Sequence, residues 1–173
     1  MEEEKWRYIK ISQIDDKIIK QLVNNLKQDV SEEFFLSFDS LLKINKRAES
    51  EIETAIKQLD EQHQFKKNIF KVLLNYIKTD KIEIPLLFQL YSPDFLVRAK
   101  AVLDIGKMDS FKYLNFLIPL LRDPDDSVRW SVINLLINKH INNSKIYKKL
   151  KKHIEYESNP IIRKNLAKVF EKV

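Results

Sequence analysis

The chain has 173 residues, 44% apolar and 32% charged with a formal net charge of +6, which is the length and balance of a soluble globular domain with a real hydrophobic core. A single glycine, Gly106, excludes phosphate-cradling loops, dinucleotide fingerprints and nucleophile elbows, all of which need glycine at several fixed positions. The absence of cysteine excludes a disulfide framework, a thiolate nucleophile and any cysteine-based zinc site.

Residues 1–13 open with Met1-Glu2-Glu3-Glu4-Lys5, which lacks the basic-then-apolar order of a signal peptide. No uncharged apolar run approaches the roughly 18 residues that span a bilayer, so a cytoplasmic protein with no membrane partner is expected. Lys5-Trp6-Arg7-Tyr8-Ile9-Lys10-Ile11 alternates bulky and basic residues out of helical period. It reads as an N-terminal arm, either packed over the first hairpin or ordered by a partner.

From residue 14 to 173 the apolar residues recur at spacings of three and four, and one repeat domain is expected. Its A helices fall near 14–28, 49–61, 82–91, 110–121 and 144–157. Its B helices are anchored by Phe34, Phe65, Val97, Val128 and Ile162, at intervals of 31, 32, 31 and 34 residues. The approximate units are 14–46, 49–78, 82–107, 110–139 and 144–173, with no strand. Ser92-Pro93, Asp123-Pro124 and Asn159-Pro160 each set a capping residue before a proline suited to a first helical turn. One hairpin cannot bury its own apolar faces, so neighbours stack on a shared core. The expected fold is all-α, a right-handed α-solenoid of about five antiparallel helical hairpins, with tetratricopeptide repeats as the alternative.

Two units repeat a phrase, Pro93-Asp94-Phe95-Leu96-Val97-Arg98 and Pro124-Asp125-Asp126-Ser127-Val128-Arg129, at a distance of 31 residues. Pro-Asp followed by Val-Arg at the start of a second helix resembles HEAT repeats, in particular the short HEAT-like variety also seen in phycobilin lyases. The resemblance is specific over 82–139, and Ile162-Arg163 keeps the Val-Arg part. It implies a structural ladder in which the aspartate before the second helix and the arginine within it bond from repeat to repeat, which maps onto Asp94, Arg98, Asp125, Arg129 and Arg163.

Charge is uneven along the chain, −4 over 1–62, +3 over 63–138 and +7 over 139–173. The cluster Lys145-Ile146-Tyr147-Lys148-Lys149-Leu150-Lys151-Lys152 puts Ile146, Tyr147 and Leu150 on one side of a helix and its lysines on the other, either as simple solvation or as contact with an acidic partner. His63, His140 and His153 have no histidine partner at the spacing a helical metal site uses, and Asp15-Asp16 and Asp125-Asp126 read as caps rather than as a catalytic pair.

In the repeat register the positions two, three and six residues after the B-helix anchor point away from the core. They are Lys67, Asn68 and Lys71; Ala99, Lys100 and Leu103; Trp130, Ser131 and Asn134; and Lys164, Asn165 and Lys168. Trp130 among lysine and asparagine suits an interaction hot spot or a base-stacking platform, unless it fills a gap between repeats. The expected function is a non-catalytic scaffold or adaptor binding another protein through this strip, with no cofactor. The alternatives are a nucleic-acid-binding solenoid using the same lysines and Trp130, and an enzyme of the kind seen among HEAT-like relatives, a DNA alkylation-repair glycosylase, for which the chain looks short, or a phycobilin lyase, which no cofactor constellation backs.

Overall fold

A computed structural model describes residues 14–81 and 85–171. Among these residues every regular element is helical and none is a strand. The arm expected at 1–13 lies outside the described residues. The chain divides between Pro93 and Asp94 into two compact units, within the third expected repeat.

The first unit contains α1 (Asp16–Leu26), α2 (Glu32–Ile44), α3 (Glu49–Gln58), α4 (Gln64–Thr79) and α5 (Pro85–Leu90). Asp15 accepts the Lys17 N–H and Ser31 the Phe34 N–H, satisfying donors that the first turns of α1 and α2 cannot pair internally. α4 ends on Asp80 at φ 53°, a left-handed turn usually given to glycine, here made by a residue type that tolerates it. The core is aromatic: Phe34, Phe35, Phe38 and Phe70 are fully buried. Tyr91 sits among them without exposure, its ring 5.9 Å from Phe34, 5.6 Å from Phe38 and 6.0 Å from Phe65. Burial pushes its phenol well above the ordinary value, so Tyr91 stays neutral and serves as packing.

The second unit contains α6 (Phe95–Gly106), α7 (Leu114–Leu117), α8 (Asp126–His140), α9 (Ser144–His153) and α10 (Pro160–Phe170). The helix expected over 110–121 is broken: 3-10 turns at Ser110–Tyr113 and Ile118–Arg122 flank the short α7. Pro119 is the reason, since it has no N–H to give Asn115 and its ring crowds the preceding turn. α6 packs against α8, and a Cβ on the sole glycine, Gly106, would meet Leu135 Cδ1 at 3.2 Å.

Two of the expected caps are displaced. Asn159 does cap α10 with Pro160 at its first position. The caps of α6 and α8 are instead Asp94 and Asp125, which accept the Leu96 and Ser127 N–H groups. Pro93 and Pro124 therefore precede the caps and sit outside the helices.

Candidate functional site

Two of the ladder arginines, Arg98 and Arg129, are buried in the second unit. Arg98, 2% exposed, reaches from α6 to the loop before α8. Its Nε and Nη2 each donate to Asp123, both at 2.8 Å, the bidentate geometry that guanidinium and carboxylate favour. Arg129 repeats this one unit on, with Nε and Nη2 donating to Glu157 at 3.1 and 2.7 Å. Its Nη1 also donates to the Asp123 and Pro124 carbonyls.

The receiving carboxylates are thus Asp123 and Glu157, not the aspartates assigned from the repeated phrase. Asp94 and Asp125 are committed to their helix N-termini as caps, which aims their carboxylates at backbone N–H groups. Asp123 and Glu157 each also accept the N–H of the next cap residue, Asp125 at 2.9 Å and Asn159 at 2.8 Å. One carboxylate therefore ties the previous repeat's arginine to the start of its own B helix. Burial alone would raise Glu157. The bonds from Arg129, the Asn159 N–H and His153 outweigh that and hold it at about 2, against an ordinary 4.5. Arg163, the third arginine of the series, is exposed, and no carboxylate among the described residues receives it.

The strip residues are shared between the two units. In the first, Lys67 is half-buried and bonded to Glu61 at 2.6 Å, Asn68 accepts from Gln64, and Lys71 is exposed. In the second, Lys100 is exposed and Ala99 half-buried, as are Trp130, Ser131 and Asn134. Ser131 donates to the Ser127 carbonyl. Lys164 and Lys168 are exposed and Asn165 half-buried. Lys100 and Lys107 both donate to Asp104, at 2.6 and 2.8 Å, and hold its carboxyl at about 2.

The periodicity overlooked a position one residue before the anchor. Leu96 is 64% and Ile161 69% exposed, and Leu103 at the already assigned position is 59% exposed. Leu96, Lys100, Leu103 and Lys107 follow at helical spacing along one face of α6, so that face alternates bare aliphatic and ammonium groups.

The histidines are dispersed: His63 pairs with Asp60 at 2.6 Å, His140 with Ser110 at 2.8 Å and His153 with Glu157. Among the described residues no three of His, Asp and Glu gather as a metal site would require, and no helix is long and apolar enough to cross a membrane.

A family model described as HEAT repeats matches residues 84–171. No curated protein and no solved structure matches the chain.

Proposed function

Because the chain belongs to the HEAT-repeat family, we propose that it works as a non-catalytic scaffold or adaptor, with its helices stacked as a right-handed solenoid of about five hairpins. Its partner is another protein, and the working surface is the B-helix strip of the second unit, centred on Leu96, Lys100, Leu103 and Trp130. One observation carries this reading: Leu96 and Leu103 stand more than half exposed on α6, with Phe95 41% exposed beside them, whereas Ala101, Val102 and Ile105 of the same helix are buried. Leaving these two leucines about six-tenths exposed forgoes burial worth about 1–2 kcal/mol each, and a partner that covers them recovers it. HEAT repeats commonly mediate protein interactions, which supports the assignment.

The lysines and asparagines around the leucines suit a polar rim. A role in catalysis has little support, because the buried carboxylates are occupied by arginine and N–H groups rather than aimed at a cavity. The test is proximity labelling with wild type and with Leu96→Glu/Leu103→Glu. A set of proteins labelled by wild type and lost from the folded double variant is the expected result. An unchanged set would move the surface elsewhere.

A further inference from the structure

Lysine is abundant along the whole chain, and α9 gathers five of them within eight residues. Some ammonium groups of the earlier helices close onto carboxylates, Lys43 on Asp39, Lys67 on Glu61, Lys78 on Glu53, Lys100 and Lys107 on Asp104, while others such as Lys17, Lys46 and Lys57 are exposed and scattered singly. On α9, Lys145, Lys148, Lys149, Lys151 and Lys152 are all exposed, and among the described residues none has an ion-pair partner. Of the two acids that follow this helix, Glu157 is buried and committed to Arg129 and His153, and Glu155 is exposed with no ion pair to these lysines. What sets the lysines of α9 apart from the scattered unpaired ones elsewhere is their concentration, five within eight residues on one exposed arc. Like charges three and four residues apart also oppose the helix they sit on.

The platform is rigid. Asn143 caps α9 through the Lys145 and Ile146 N–H groups, Ile146 and Leu150 are buried, and His153 anchors the far end on Glu157. Its one aromatic, Tyr147, is engaged edge-on with Phe170 at 4.9 Å, so no ring is offered for base stacking. The exposed arc holds neither apolar nor aromatic groups. That composition does not fit the core of a protein interface, where lysine is depleted and apolar area concentrates. It fits phosphate, which takes lysine as a point charge without sequence preference.

At about 100° per residue the five ammonium groups spread over roughly 160° and over a length of about 10 Å. A flat anionic bilayer meets only part of such an arc, and the apolar side that would anchor α9 in a bilayer is already buried. A helix of this width at the mouth of a B-form major groove, about 12 Å across, has phosphates on both flanks. We propose that α9 is a sequence-independent docking face for the phosphate backbone of duplex DNA, separate from the protein-binding strip on α6 and α8.

The experiment is fluorescence anisotropy of a labelled mixed-sequence 24-base-pair duplex titrated with the full chain between 50 and 200 mM salt. Engagement of all five lysines gives a slope of log K on log salt of about −4.5, and Lys148→Gln/Lys149→Gln/Lys152→Gln reduces its magnitude by nearly 3. The matched control Lys17→Gln/Lys46→Gln/Lys57→Gln removes the same charge from exposed, unpaired lysines of the first unit and leaves the slope unchanged. Lys148→Arg/Lys149→Arg/Lys152→Arg retains binding, which separates loss of charge from any loss of fold. The proposal is overturned if wild type fails to bind duplex at 50 mM salt, if the control triple weakens binding as much as the α9 triple, or if a single strand of equal length binds better. It is equally overturned if phosphatidylserine vesicles capture the protein while duplex does not.

Discussion

Arg129→Ala tests whether the ladder holds the second unit together. Arg129 is 7% and Glu157 2% exposed, and the guanidinium makes two bonds to that carboxylate and two to backbone carbonyls. Truncation leaves Glu157 buried beside His153 without its main cation. Removing one partner of a buried ion pair costs about 3–5 kcal/mol, and each orphaned carbonyl adds up to about 1–3 kcal/mol where water cannot reach it. Partial entry of water through the cavity left by the long side chain offsets part of this, so about 4 kcal/mol is expected. That is a large share of the roughly 5–15 kcal/mol by which a domain is stable. Urea denaturation followed by helical circular dichroism at pH 7 measures it. Because there are two compact units, a variant transition that splits into an early and a late step places the loss in the second unit. A loss below about 1 kcal/mol would refute the reasoning, since the bidentate pair would then be no better than solvated charges at a surface.

Three further outcomes follow from the same geometry. Asp123→Ala removes the carboxylate that takes two bonds from buried Arg98 and is expected to cost about 3–5 kcal/mol, whereas Asp125→Ala removes the cap of α8 and costs about 1 kcal/mol; equal losses in parallel urea titrations would contradict the division of labour between them. Glu157 is held at about 2, below its ordinary 4.5, so its contribution is present above pH 4.5 and is lost as the pH falls toward 2. The integrated effect is about 3 kcal/mol; stability profiles from pH 7 to pH 2.5 should be flatter in Glu157→Gln, and superimposable slopes would argue against the assignment. Half-buried Trp130 is expected to cost about 1–2 kcal/mol on truncation to alanine, less than the 3–5 kcal/mol of a fully buried tryptophan. A loss above about 3 kcal/mol in thermal and urea melts would make it a packing residue and remove it from the proposed surface.

The arginines of the ladder were legible because Val97-Arg98 and Val128-Arg129 stand in the same register at the start of a helix, so whatever they do is done twice. Their acceptors were not. Asp123 and Glu157 each lie five residues before the anchor, but the nearby proline does not keep step, preceding Val128 by four residues and Ile162 by only two. Aligning on proline therefore hides the equivalence, and the two acids also differ by a methylene. The break at Pro119 was visible as a residue and masked by the apolar spacing around it, which survives in the 3-10 turns because Leu117, Leu120 and Leu121 are still buried.

Leu96 shows the opposite failure. Its spacing is that of a core residue, and only the packing of α6 on its neighbours decides which of two adjacent apolar stripes is covered. Tyr91, next to a Ser-Pro boundary, reads as a helix end but closes the aromatic core of the first unit. For the lysines, helical periodicity says that a face is basic and says nothing about what lies opposite. Lys78 of α4 is neutralised by Glu49 and Glu53 of α3, which are distant in sequence, so pairing is a tertiary property. The five ammonium groups on α9 become meaningful only in the fold, where no acid among the described residues closes onto them.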